Sequence, residues 1–135
     1  MFNRLRPLIF KFSPEIAHSL AIKALKFNYI PNNKLKESSL LETELFGKKI
    51  ISPVGIAAGF DKNAEVYNPL FNLGFGFVEV GTITPKAQYG NPKPRVFRLE
   101  EDEALINRLG FNNNGSDEIS LRIKQNSQIG RASCR

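Results

Sequence analysis

Apolar residues recur at spacings of three and four in two successive stretches at the start of the chain. In residues 1–12 they fall on one side of a helix, with the basic residues elsewhere. The next stretch opens with 13-SPE-15, in which the serine can cap a helix, the proline suits its first position and the glutamate favours its positive end. The pattern predicts a short amphipathic helix over 1–12 and a second helix over about 14–27.

A polar stretch separates this helical pair from the rest of the chain. Pro31, Asn32 and Asn33 end the pair, and residues 34–39 have the composition of a linker. We therefore predict a helical unit over 1–38 and a second unit over 39–128. The last residues, 129–135, do not continue the pattern of either unit.

Beyond this boundary the pattern becomes extended. Gly47 lies between two extended runs within 43–54, as in a small hairpin. The apolar run 54–58, a helix over about 65–73 and a β-rich run over 77–84 follow in that order. Strand, helix and strand in this order predict a βαβ unit, and hence an α/β fold with a parallel sheet.

Prolines and glycines interrupt the remainder of the chain. Residues 85–102 are expected to form an irregular excursion in which 96–99 are extended. The segment 107–115 has three consecutive asparagines and two glycines and is expected to be a loop. A final helix is predicted from Ser116 or Asp117 to about Gln125.

Charge is distributed unevenly in this 135-residue chain of net charge +6, since residues 1–40 hold seven basic and two acidic side chains. This asymmetry suits a nucleic acid or an anionic membrane, or simply a solvated helical surface. Aromatic residues are not interleaved as in base-stacking surfaces. One cysteine excludes an intrachain disulfide, one histidine leaves no Cys/His metal-site spacing, and no apolar run approaches the roughly 20 residues of a spanning helix.

Small residues follow the first strand of the predicted βαβ unit, and a charged pair follows them. In α/β proteins ligands gather outside the carboxyl ends of parallel strands. Ala57, Ala58 and Gly59 would let a flat ligand lie against the backbone, with Asp61 and Lys62 at its edge. Strand-to-helix turns also use glycine for packing alone, so both interpretations remain open.

The second strand exit and the asparagine-rich loop add polar groups. Thr82 offers a hydroxyl after the second strand. Side-chain amides in the loop offer donors and acceptors to a small polar heterocycle, while turn chemistry is the alternative explanation for them. The amides in question belong to Asn107, Asn112, Asn113 and Asn114.

Four motifs carry a resemblance to a known family. They are 14-PEIAHSLA-21, 54-VGIAAGFDKNAE-65, 75-FGFVEVGTITPKAQYGNPKPRVFRL-99 and 105-LINRLGFNNNG-115. Together they resemble the class 2, membrane-associated, quinone-dependent dihydroorotate dehydrogenases, and the similarity extends in order from about residue 5 to residue 125. The resemblance implies an FMN-binding (β/α)8 TIM barrel, preceded by a two-helix membrane-associating extension, that oxidises dihydroorotate to orotate in de novo pyrimidine biosynthesis.

The resemblance also assigns roles to residues at matching positions. The FMN-proximal residues would be Ala58, Gly59, Phe60, Asp61, Lys62 and Thr82. Lys62 would also reach the substrate, together with Asn107, Arg108, Leu109, Gly110 and Phe111. The quinone tunnel would be lined by His18, Ala21 and Arg98, and the helical pair would lie on the membrane, at the cytoplasmic face of the inner membrane in a bacterium. No metal and no nucleic-acid partner is implied.

The chain also departs from the family's pattern. The family's barrel has eight strands, and the pattern accounts for two. The catalytic base of the family is a serine on a later loop, so we expect no catalytic residue in this chain. A fragment of the family's enzyme is the simplest description of it. We therefore also expect weak or absent FMN binding. A truncation or frameshift would account for 129–135. There are two alternatives. One is a catalytically inert fragment that binds the membrane surface. The other is another FMN-dependent barrel oxidoreductase, such as the soluble class of the same dehydrogenase.

Overall fold

A computed structural model describes residues 2–27 and 39–125 of the chain. The predicted domain boundary and the tail 129–135 lie largely outside these residues. No helix within the described ranges is long and apolar enough to cross a membrane.

Two helices begin the chain, as the apolar spacing predicts. Helix α1 spans Phe2–Phe10 and α2 spans Pro14–Lys26. Ser13 caps α2, its hydroxyl accepting a hydrogen bond from the Ile16 amide at 3.4 Å. Helix α1 ends two residues earlier than predicted, because the amides of Lys11 and Phe12 bond to carbonyls three residues back and tighten the turn.

The predicted hairpin follows a short 3-10 helix, Ser39–Leu41. Strand β1, Thr43–Leu45, pairs antiparallel with β2, Lys48–Ile50. The two residues between them, Phe46 and Gly47, have φ of 52° and 72°. Positive φ at both central positions is the geometry that matches the twist of a two-residue hairpin.

The βαβ unit is confirmed, with shorter elements than predicted. Strand β3, Gly55–Ile56, pairs in parallel with β4, Phe77–Val78, and α3, Tyr67–Asn72, connects them. The expected strands 54–58 and 77–84 were too long, because the chain after each pairing forms loops. The expected helix over 65–73 was also too long, because residues 61–66 form a turn held by a carboxylate.

A second hairpin was not predicted. Strand β5, Val96–Leu99, pairs antiparallel with β6, Ala104–Asn107. Residues 96–99 are extended as expected, but residues 104–106 received no assignment from the sequence. Helix α4 spans Ser116–Gln125, as predicted.

The core lies where α2, α3 and α4 approach the parallel strand pair. One cluster packs Leu25 of α2 against Val66 and Leu70, and the other packs Ile119 of α4 against Ala64 and Tyr67. All of these side chains are at most 9% exposed. The core therefore surrounds the segment 61–70 and fixes the start of the loop that follows β3.

Candidate binding site at the ends of the parallel strands

The loops after β3 and β4 are joined by main-chain hydrogen bonds. The Gly59 amide donates to the Gly81 carbonyl at 2.8 Å, and the Gly81 amide donates to the Asp61 carbonyl at 3.2 Å. Ala58, Gly59 and Thr82 are exposed. The structure thus brings together the two strand exits that the sequence singled out.

Gly59 leaves open space above the backbone of this surface. Its φ is +104°, and a Cβ added there would meet nothing within 4 Å. Such a backbone suits glycine, and the absence of a side chain keeps the peptide accessible to a ligand from this side. Open space at Gly59 is what the flat-ligand interpretation of 57–59 requires.

Lys62 lies half-buried at the edge of the same surface. Its Nζ donates a hydrogen bond to the Gly59 carbonyl at 2.6 Å. Burial lowers the pKa of this lysine from its usual 10.5, and the positive charge of Arg95 lowers it further, while Glu15 and Asp61 act in the opposite direction. A partly desolvated cation at this position interacts strongly with any negative charge that develops beside it.

Asp61 has its side chain turned into the protein. The carboxylate is 1% exposed, and its oxygens accept hydrogen bonds from the amides of Glu65 and Val66, both at 2.8 Å. These bonds hold the turn that leads into α3. Only the main chain of Asp61 is therefore available to a ligand on the open surface.

The side chain of Asn113 connects the asparagine-rich loop to the loop after β4 through hydrogen bonds. Its Nδ2 donates to the Phe111 carbonyl at 2.7 Å and to the Thr84 hydroxyl at 2.9 Å. Its Oδ1 accepts from the amides of Gly115 at 2.9 Å and Thr84 at 3.2 Å. Every polar group of this buried amide is used internally, so turn chemistry is the correct interpretation for Asn113.

The other asparagines differ from one another. The Asn114 amide group donates to Glu118 at 2.6 Å, and the Asn114 main-chain N–H donates to Oδ1 of Asn63 at 3.0 Å. This second bond attaches the loop directly beside Lys62. The Oδ1 atom of Asn112 is buried and has no hydrogen-bond partner among the described residues.

The predicted substrate segment Asn107–Phe111 begins at the end of β6 and packs on the excursion before β5. The Arg108 amide donates to the Arg95 carbonyl at 2.8 Å, and the Leu109 carbonyl accepts from the Asn91 amide at 3.1 Å. Leu109 is half-buried, whereas Asn107, Arg108, Gly110 and Phe111 are exposed. The segment is therefore fixed through its backbone, with most of its side chains accessible.

Two of the three predicted tunnel residues make definite contacts. Nε2 of His18 lies 2.7 Å from the Phe60 carbonyl, and the two rings meet edge-on at 5.3 Å. The guanidinium of Arg98 donates to the Phe12 carbonyl at 2.7 Å and lies 4.5 Å from the centre of the Phe10 ring. His18 thus joins α2 to the loop after β3, whereas Arg98 holds the end of α1. Ala21 is half-buried on α2.

An ion pair between a buried arginine and a half-buried glutamate was not predicted from the sequence. Nε of Arg95 lies 3.0 Å from Oε1 of Glu15, and the arginine side chain is 8% exposed. Glu15 was interpreted only as a favourable residue for the helix dipole. The two residues are 80 positions apart, so no local pattern could have paired them.

A shallow groove of about 370 Å³ lies between the junction of the two helices, residues 10–14, and strand β5. Phe10, Phe97 and Arg98 are among its lining residues. No pattern in the sequence indicated this groove, because its walls come from distant segments.

Comparison with known proteins decides the family. A family model described as dihydroorotate dehydrogenase matches residues 40–132. The chain belongs to this family.

Similar dihydroorotate dehydrogenases come from bacteria and mammals. The chain is 54% identical over 124 residues to the dihydroorotate dehydrogenase (quinone) of Rhodopseudomonas palustris strain TIE-1, covering 92% of this chain and 34% of that protein. It is 50% identical over 115 residues to the mitochondrial dihydroorotate dehydrogenase (quinone) of Mus musculus, covering 85% of this chain and 29% of that protein. The chain thus spans about a third of the length of these relatives.

A solved dihydroorotate dehydrogenase shares the fold. The crystal structure of the Eimeria tenella enzyme in complex with ferulenol superposes with a TM-score of 0.81 and 47% sequence identity. The match covers 86% of this chain and 31% of that one. The α/β fold predicted from the sequence is therefore confirmed for the segment that the two chains share.

Proposed function

We propose that this chain is the N-terminal part of a quinone-dependent dihydroorotate dehydrogenase, which oxidises dihydroorotate to orotate in de novo pyrimidine biosynthesis. The observation that carries the proposal is the position of Lys62, a partly desolvated cation bonded to the open Gly59 backbone where two parallel strands end. The 54% identity to the quinone enzyme of Rhodopseudomonas palustris supports the same function. In this proposal β3 and β4 are the first two strands of a (β/α)8 barrel.

The residues present fit one wall of an FMN site. The absence of any atom within 4 Å of a Cβ at Gly59 leaves room for a flat ring against the backbone. Ala58 and Thr82 are exposed beside it, and His18 contacts both the carbonyl and the ring of Phe60. We assign FMN contacts to Ala58, Gly59, Phe60, Lys62 and Thr82, and a main-chain contact alone to Asp61, whose carboxylate is already used.

The chain's own residues bind and orient the reactants. FMN, when bound, would supply the redox chemistry, accepting the hydride from dihydroorotate and passing electrons to quinone. Lys62 holds its Nζ at the Gly59 carbonyl, where a cation in a partly dry environment stabilises negative charge developing next to it. Asn107, Arg108, Leu109, Gly110 and Phe111 would bind the substrate, and the bond from Asn114 to Asn63 ties their loop to the residue beside Lys62.

The helical pair would form the membrane surface and the entrance for quinone. Large apolar side chains on α1, on α2 and on the turn between them are 42–56% exposed: Leu5, Leu8, Phe12, Ile16 and Leu20. Basic residues lie among them, as in helices that bind anionic bilayers peripherally. Contact between His18 and Phe60 would place a quinone that enters near His18, Ala21 and Arg98 next to the flavin-binding loop.

A hybrid enzyme tests the proposed function. Residues 1–125 would replace the aligned segment of the Rhodopseudomonas palustris enzyme, to which this chain is 54% identical. We expect the purified hybrid to contain FMN and to form orotate with a soluble quinone. A folded hybrid that retains flavin but forms no orotate would contradict the proposal.

The exposed apolar face also supports a second candidate, an inert membrane-surface-binding polypeptide. Activity of the hybrid separates the two candidates, and the 135-residue chain by itself is assayed alongside it for vesicle binding and for orotate formation with added FMN and quinone. We expect weak flavin binding and no orotate from the isolated chain, because one wall alone does not enclose a cofactor. An inactive hybrid together with membrane binding by the isolated chain would favour the second candidate.

A further inference from the structure

Arg95 is the buried centre of a polar cluster whose residues received no role from the family resemblance. Its side chain is 8% exposed and pairs with Glu15 at 3.0 Å. Its Nη1 donates to the carbonyls of Tyr89 at 2.6 Å and Asn91 at 3.1 Å. A guanidinium stays charged in such a site, and three acceptors fix its position.

The cluster connects α2, the excursion before β5 and the predicted substrate segment. Glu15 lies in the first turn of α2, whose His18 contacts the Phe60 carbonyl. Arg95 precedes β5, and its own carbonyl accepts the Arg108 amide at 2.8 Å. The ion pair therefore joins α2 to the excursion before β5 and to the predicted substrate segment, and α2 in turn contacts the loop after β3 through His18.

The charges of the pair reach Lys62 with opposite signs. After burial, Arg95 is the largest influence that lowers the pKa of Lys62, and Glu15 raises it, as does Asp61 of the same loop. Other ionisable groups near this loop are His18, which contacts Phe60, Tyr67, whose pKa is raised by burial and by the charge of Asp61, and Arg122, which donates to the Asn63 carbonyl. Glu15 thus offsets a cation that would otherwise repel the Lys62 ammonium.

We propose that Glu15 and Arg95 are positioning residues for Lys62: the ion pair fixes the start of α2, whose His18 contacts the 57–62 loop, and its two charges set the electric field at the lysine amine. The helical extension then acts on the substrate end of the site as well as on the membrane side. The catalytic importance of Lys62 rests on the proposed function, but the effect of the ion pair on its amine does not.

Two charge-removing substitutions in the full chain separate positioning from a purely structural role. The pKa of Lys62 is measured from the pH dependence of its acetylation by trace acetic anhydride, with peptide mass spectrometry resolving each lysine. Glu15→Gln removes a negative charge, so the pKa of Lys62 falls further. Arg95→Gln removes a positive charge, so the pKa rises toward the ordinary value. A general loosening of the fold would move both variants in the same direction, toward 10.5.

Conservative and distant variants complete the test. Glu15→Asp keeps the charge and is expected to leave the Lys62 pKa near that of the parent chain, and Glu42→Gln, at an exposed position, is expected to have no effect. Shifts of the same sign in both pair variants, no shift in either, or an ordinary lysine pKa in the parent chain would each overturn the inference. Because no flavin or substrate is used, opposite shifts sustain it even if the hybrid enzyme forms no orotate.

Discussion

At the scale of single residues, Asp61 is the clearest structural support of the candidate site. Asp61→Asn replaces one acceptor oxygen by an NH2 group that faces a main-chain N–H of Glu65 or Val66. We expect a loss of about 2 kcal/mol in the free energy of unfolding, measured by denaturant titration, since hydrogen bonds to buried charged groups contribute about 1.5–3 kcal/mol. Asp102→Asn, on the exposed turn between β5 and β6, is the matched control. Equal stability of the two variants would contradict this role.

Lys62 gives the unfolding free energy a defined pH dependence. Because its pKa is lower in the folded chain than the 10.5 of the unfolded chain, the unfolded chain binds more protons between these two values. The contribution of Lys62 to stability therefore rises with pH across this window and is constant above 10.5. We expect the stability of the parent chain relative to Lys62→Met to increase from neutral to alkaline pH. Lys93→Met, at an exposed position, is expected to show no such trend.

Residue roles were predictable from the sequence only where they depend on local chemistry. The small residues before Lys62 pointed to an open surface, and Gly59 provides it. Asp61 was assigned to the ligand because its sequence position could not reveal that its carboxylate faces two amides inside the turn. The partner of Glu15 lies 80 residues away and required the tertiary fold.

At the scale of elements, close packing of backbone holds the βαβ unit together. The Gly76 amide donates to the Val54 carbonyl at 2.9 Å, and a Cβ at Gly76 would lie 1.9 Å from the Ser52 carbonyl oxygen. Gly76→Ala therefore has to displace main chain, and we expect a loss of about 3 kcal/mol in unfolding free energy.

Gly47→Ala serves as the comparison for this substitution. A Cβ at Gly47 meets nothing within 4 Å, so only its φ of +72° opposes alanine. The expected cost is about 1 kcal/mol. Both variants are measured in parallel denaturant titrations. A smaller loss of unfolding free energy for Gly76→Ala than for Gly47→Ala would contradict the expectation, because the main chain around Gly76 and Ser52 could then move apart at little cost.

Element types were easier to predict than element ends. Apolar spacing and Ser13 located α2, because a cap and an amphipathic face are local signals. The parallel strands were predicted too long, since apolar residues continue beyond the point where pairing stops. Strand β6 was missed, although the four polar residues 100–103 between two apolar runs are a hairpin signal.

At the scale of the whole molecule, the exposed apolar face of α1 and α2 should bind anionic membranes. We expect the chain to co-sediment with vesicles of phosphatidylglycerol and phosphatidylcholine, and to release as salt screens the basic residues. Leu8→Ser should weaken the partition about ten-fold, since burying a leucine contributes roughly 1.5 kcal/mol or more. Leu105→Ser, on β6 and also exposed, is the matched control, and equal losses in both variants would contradict a specific membrane face.

If Lys62 belongs to a dihydroorotate-oxidising site, as we propose, its removal must slow turnover by the hybrid enzyme. The measurement compares orotate formation by Lys62→Met and Lys93→Met hybrids that carry equal amounts of FMN. Removing a group that stabilises developing charge typically costs about 100-fold or more in rate. We expect a loss of this size for Lys62→Met and none for Lys93→Met. Equal turnover by the two variants, in a hybrid that is otherwise active, would contradict it.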